Sequence, residues 1–157
     1  MRPFVSTTPD FQLTRENGLI VIQNDFVKWI HDPEKGGELC GAFVKNGTNK
    51  NLLQRPQSTA VCPWDRGGWR QYHYYETINS QAENIKINQE DHRIILEFSS
   101  GLKDAEGRSL QDVRVKHTVE YHASGAAEHK VTLDFQKDLD IGHVRIGTLD
   151  IVNTMDQ

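Results

Sequence analysis

Fourteen consecutive residues, Pro63-Trp64-Asp65-Arg66-Gly67-Gly68-Trp69-Arg70-Gln71-Tyr72-His73-Tyr74-Tyr75-Glu76, gather two tryptophans, three tyrosines, two arginines, a histidine and two carboxylates. Residues of these types bind sugars: aromatic rings stack on the apolar faces of a pyranose, while charged side chains bond its hydroxyls. Trp64 and Trp69 would serve as platforms, Arg66, Arg70 and His73 as hydroxyl partners, and Asp65 as the group that orients an arginine. If the segment from Trp69 to Ile78 is a strand, Trp69, Gln71, His73 and Tyr75 share one face, with Arg70, Tyr72 and Tyr74 on the other. Arg70 and His73 are therefore competing candidates, and Arg145 is a further one from across the sheet. The plainer alternative is a strand with one core face and one solvated face, since aromatic residues favour strands anyway.

Other chemistry is less well provided for. His117, His129 and His143 fall on separate expected strands that could neighbour one another, but no His-x-His or His-x-x-x-His spacing offers a metal site. Cys40 and Cys62 have no Cys-x-x-Cys or Cys-x-x-His neighbour, so buried free thiols are expected, with a disulfide as the alternative. Asp134, Asp138 and Asp140 could supply a carboxylate pair, although turns and solvated faces are the better account of them. No nucleophile elbow and no phosphate-cradling glycine loop is present, and no cofactor is expected.

The elements that must position these residues are strands. Alternation, not a helical period, runs through the chain, most regularly over Val113 to Tyr121 and His129 to Phe135. These two are expected to pair antiparallel, with Val113, Val115, His117, Val119 and Tyr121 on one face and Val131, Leu133 and Phe135 joining them in the core. Leu19–Ile22 and Phe26–Ile30 are broken at Asn24-Asp25, and Leu39–Lys45 follows the turn Asp32-Pro33-Glu34-Lys35-Gly36-Gly37. Asn46-Gly47 signals a further turn. Asn84–Ile87 and Arg93–Phe98 form a hairpin around Glu90-Asp91-His92, and His143–Val152 is the last strand. Between Leu52 and Gly68, Pro56, Pro63, Gly67 and Gly68 predict a long surface loop with no central strand. Strands at roughly ten-residue spacing predict one all-β antiparallel sandwich over residues 1–157, with 1–17 as an N-terminal extension and no helix longer than a turn.

Composition agrees. At 157 residues the chain can bury roughly 70% of its unfolded surface without disulfides or metal. A 36% hydrophobic and 25% charged content suits a sheet with one face in water. The net charge of −4 argues against nucleic acid, and no apolar run approaches a membrane span. The first ten residues lack the apolar core of a secretory signal, so a cytoplasmic protein is expected, or a secreted or periplasmic one whose signal has been removed.

The order of several short motifs also resembles a known family. Phe26, Asp32-Pro33-Glu34-Lys35-Gly36-Gly37-Glu38-Leu39, Asn46-Gly47, Asn51-Leu52-Leu53, Cys62-Pro63-Trp64-Asp65 and Trp69 are similar to the start of the C-terminal small-chain domain of family-two β-galactosidases. Val119-Glu120-Tyr121, Ser124-Gly125, Val131-Thr132-Leu133-Asp134 and Val144-Arg145-Ile146-Gly147 resemble its later hairpin and Arg-Ile-Gly strand. The family's Arg-Ala-Pro and Asp-Asn-Asp segments are replaced by Val61-Cys62-Pro63 and Asp65-Arg66-Gly67. The resemblance implies a galactose mutarotase-like supersandwich and a carbohydrate-binding or accessory role in glycoside processing. Two other roles stay open: a small epimerase using His and Glu, and a structural domain contacting other domains or further copies of the chain.

Overall fold

The computed structural model describes residues 4–7, 10–47, 49–64 and 73–147. Five strands in chain order, β1 (Phe4–Thr7), β2 (Gln12–Glu16), β3 (Leu19–Gln23), β4 (Val27–His31) and β5 (Leu39–Val44), form an antiparallel meander. The stretch read as an N-terminal extension therefore carries two strands of a sheet. Phe11 and Leu13 within it are 2% and 3% exposed, so it is core. The break at Asn24 has a local cause: its Oδ1 accepts from the backbone N–H groups of Phe26 and Val27, closing the β3–β4 turn. Between β4 and β5, Asp32 caps the 3-10 turn Pro33–Lys35, and Gly36 and Gly37 follow at φ +81° and +79°.

Beyond β5 the Asn46-Gly47 turn forms, with Gly47 N–H bonded to Val44 O. Among the described residues it opens no hairpin. Instead Asn51 bonds alongside β5, its Oδ1 accepting from Ala42 N and its Nδ2 donating to Cys40 O, so a side chain satisfies backbone groups at the sheet's edge.

A second antiparallel sheet has the order β11-β10-β9-β8, from β8 (Ala82–Gln89), β9 (Arg93–Ser100), β10 (Val113–His122) and β11 (Ala127–Phe135). The expected pairing of the two most regular strands is present, with Val115 opposite Leu133 and His117 opposite Val131. All five β10 residues assigned to the core face are buried. On β11 the expectation holds less well: Val131 and Leu133 are half-buried and Phe135 is 42% exposed. The cause is position, since β11 is the sheet's edge strand and has a neighbour on one side only.

The third sheet, β12-β6-β7, corrects the reading of residues 52–68 as loop alone. β6 (Ala60–Pro63) is its central strand, flanked by β12 (Ile141–Arg145) and β7 (Tyr75–Glu76). Pro63 is tolerated because it stands at the strand's last position, and the preceding Ala60-Val61-Cys62 run is buried. The long aromatic strand expected over Trp69–Ile78 is in its described part only β7 followed by a 3-10 turn, Thr77–Asn79. The last strand begins at Ile141, not His143, and residues 148–152 lie outside the described ones.

The three sheets make two cores. Phe11, Leu13, Ile20, Ile22 and Trp29 of the first sheet pack on Ile94, Leu96, Phe98, Val119 and Tyr121 of the second, as in a β-sandwich. Val61 of the third sheet packs with Leu102, Val113 and Val115, joined by Tyr75 and Ile141. One face of β10 thus serves both: Val113 and Val115 at one end, Val119 and Tyr121 at the other. No helix among the described residues is long and apolar enough to cross a membrane.

Candidate functional site

β6 and β12 carry Trp64 and Arg145 at opposite ends of their pairing, Arg145 opposite Ala60 and Trp64 just beyond the pair of Pro63 and Ile141. His143 pairs with Cys62 and Arg145 with Ala60, so alternation puts His143 and Arg145 on the face opposite Val61 and the core. Trp64 continues β6 beyond Pro63, bonded through its N–H to Asp140 O, and its ring lies over Gly142, whose missing side chain makes the close approach feasible. Tyr74 completes the group. The Arg145 guanidinium sits 3.8 Å from the centre of the Tyr74 ring, and Tyr74 Oη is 3.3 Å from His143 Nδ1. Trp64 is 56% exposed, an uncommon placement for so large an apolar ring. Arg145 Nε is shielded from solvent and has no hydrogen-bond partner among the described residues. Tyr74, His143 and Arg145 thus form one group, and the exposed Trp64 ring lies over Gly142, the residue before His143.

The remaining sequence candidates divide. Asp65, Arg66, Trp69 and Arg70 lie outside the described residues. His73 and Tyr75 are not with Trp64. Tyr75 pairs with Val61 and packs on the second core, and His73 meets it edge-on with ring centres 5.0 Å apart. His73 Nε2 is 2.8 Å from Asp104 Oδ2. Burial pushes the Asp104 carboxyl up, but hydrogen bonds from Arg108 N–H, His73 and the Arg108 side chain outweigh it and hold it down at about 2. His73 thus belongs to a loop clasp. Asp134 is likewise engaged, by Lys116 at 3.0 Å on the solvent side of β10 and β11.

A second cluster was not legible as a site. Glu38, just before β5, is 1% exposed, and its Oε1 accepts from Thr59 N–H at 2.8 Å and Thr77 Oγ1 at 2.6 Å. Its Oε2 has no partner among the described residues. Burial raises the Glu38 carboxyl above its ordinary range. Beside it, His117 Nδ1 lies 3.0 Å from His129 Nε2, and its ring stacks on Phe98 at 4.5 Å. His143, expected as a neighbour of these two, is on the third sheet instead. His31 Nδ1 faces Gly37 O at 2.8 Å. A carbonyl only accepts, so that nitrogen carries the proton and Nε2 accepts from Tyr121 Oη at 2.6 Å. Burial lowers His31 to about 4 and His117 to about 3, and both are neutral imidazoles at neutral pH. His31 could have been found from the alternation Val27, Trp29, His31. Nothing local marks Glu38.

Cys40 and Cys62 are both free, and burial pushes the Cys40 thiol up to about 11, which makes it a poor nucleophile.

Compared with known proteins, the chain matches no family model and no curated protein.

Proposed function

We propose that this domain binds carbohydrate through the face carrying Trp64, Tyr74, His143 and Arg145, as an accessory domain of the supersandwich type. The observation that carries the reading is the Arg145 guanidinium stacked on the Tyr74 ring next to His143, with the exposed Trp64 ring over Gly142 at the other end of the same strand pair. The exposed Trp64 ring offers a stacking surface and Tyr74, His143 and Arg145 offer polar groups, and sugar recognition draws on both. Proton transfer by Glu38 and His117 is less well supported, because both side chains are wholly shielded from solvent and no substrate atom reaches them.

The test is a screen of simple sugars by the fluorescence of the tryptophans, followed by Trp64→Ala and Arg145→Ala in the folded chain. Each is expected to weaken binding about tenfold, the value of one stacking or charged contact of about 1.4 kcal/mol. Undiminished affinity in both variants, with melting unchanged, would place the ligand elsewhere. If no sugar binds the wild-type chain even at millimolar concentrations, the structural role becomes the better reading.

A further inference from the structure

A cleft of about 540 Å³ opens where the 3-10 turn Thr77–Asn79, the end of β9 and the start of β10 converge. We propose that it is a second binding site, for a neutral polyol of pyranose size. Its volume lies within the range of about 300–1,000 Å³ that small-molecule sites occupy. Its base is apolar: Leu102 and Val113 are each 1% exposed, with Leu110 beside them. Its rim is polar and of both signs. Glu34 and Glu83 offer acceptors, Lys103 and Arg114 offer donors, and Arg114 Nη1 pairs with Glu83 Oε2 at 3.0 Å.

Two features mark the cleft as more than a surface dent. Ser80 lines it, is 5% exposed, and its Oγ has no hydrogen-bond partner among the described residues. A buried hydroxyl left unpaired lowers stability, and one at a cleft wall is placed to be satisfied by a partner outside the chain. Gly101 lies against it. A Cβ there would stand 3.6 Å from Ser80 Oγ and 3.9 Å from Arg114 Nη1, so the glycine leaves a space bordered by a hydroxyl and a guanidinium.

The chemistry selects the ligand class. A hydroxyl both donates and accepts, so a ring of hydroxyls can satisfy carboxylates and cations at once. An anion would face Glu34 and Glu83, and an apolar ligand would leave the rim groups unpaired. The C–H face of a pyranose would lie on Leu110 and its neighbours. The site stands without the Trp64 face, because it shares no residue with it.

The experiment is an amide-resolved NMR titration of the ¹⁵N-labelled full chain with D-galactose, D-glucose and myo-inositol, and with D-galacturonate as the anionic counterpart, to about 100 mM. Saturating shifts at residues 80–81, 101–103 and 110–114 are expected with the neutral polyols, and about fivefold weaker binding of galacturonate. Ser80→Ala should weaken binding about tenfold while melting at the same or a higher temperature, because it removes an unpaired hydroxyl. Gly101→Ala, whose new methyl meets only ordinary van der Waals contacts, should weaken it likewise and serves alone if Ser80→Ala unfolds. No shifts in the cleft, unaltered affinity in the folded variants, or preference for galacturonate would overturn the proposal. Shifts confined to Trp64, Tyr74, His143 and Arg145 would overturn it while supporting the carbohydrate face, and shifts confined to the cleft would do the reverse.

Discussion

His117 Nε2 stands 3.7 Å from Glu38 Oε1, and both side chains are wholly removed from solvent. The pair sits where the two cores meet on β10, with Val113 and Val115 to one side of His117 and Val119 and Tyr121 to the other. Around it, Thr59 and Thr77 tie the third sheet to Glu38, and His129 and Ser100 approach His117 from β11 and β9. Hydrogen bonds at this point join Glu38, before β5 of the first sheet, to Thr59 and Thr77 beside the third, while His117 of the second sheet stands against them between the two apolar cores. Polar groups so deeply buried must keep their partners, because water cannot replace them.

Glu38→Gln keeps a carbonyl oxygen for Thr59 N–H and the Thr77 hydroxyl while removing the carboxyl that burial destabilises as an anion. Its stability should lie within about 1 kcal/mol of wild type, whereas Glu38→Ala should cost about 2–4 kcal/mol by stranding buried donors. Urea denaturation of the two variants measures the difference, and equal costs would mean that the Glu38 hydrogen bonds contribute little.

Acid should destabilise the fold through the buried imidazoles. His31 and His117 are lowered from 6.5 to about 4 and about 3, and His129 is lowered as well, each first by burial. Between those values and 6.5 the unfolded chain binds more protons than the folded one, so stability is full at neutral pH and falls as pH drops below 6.5. Glu38 acts in the opposite direction, since its raised carboxyl favours the folded chain's proton, but three imidazoles outnumber it. The urea midpoint should decrease steadily from about pH 7 to pH 5, and His117→Gln should flatten that slope. A midpoint independent of pH across that interval would contradict the assignment.

Burial depth should separate two leucines. Leu96 is 0% exposed in the first core, and its truncation to Ala should cost about 2–5 kcal/mol. Leu133, on edge strand β11, is half-buried, and Leu133→Ala should cost only about 1–2 kcal/mol. Chemical denaturation that ranks Leu133 above Leu96 would mean that β11 is packed more deeply than its position implies.

Two glycines offer a matched comparison. Gly18 and Gly37 share φ near +79°, but a Cβ at Gly18 meets nothing within 4 Å, while one at Gly37 would lie 2.7 Å from Ala82 Cβ and 2.8 Å from the Phe98 ring. Gly18→Ala should cost about 1 kcal/mol from backbone strain alone, and Gly37→Ala about 3 kcal/mol or more, since overpacking adds to it. Melting temperatures of the two variants read this directly, with equal decreases counting against the packing around Gly37.

What the amino-acid sequence determined by itself was local and periodic. Alternation over 113–121 assigns each β10 side chain to its face, because a strand's side-chain period is two whatever it packs against. Asp32, Pro33 and the two following glycines dictate their turn through side-chain capping and backbone freedom alone. Tertiary structure decided everything that joins distant segments. The apolar run Ala60-Val61-Cys62 reads as loop between prolines until β12 and β7 supply hydrogen bonds on both its edges. Arg145 reaches Tyr74 only because β12 and β7 flank β6, and His73 is held away from them on Asp104. Glu38 is an ordinary charged residue in sequence, and only the packing of three sheets around it takes its carboxyl out of water and sets it beside His117.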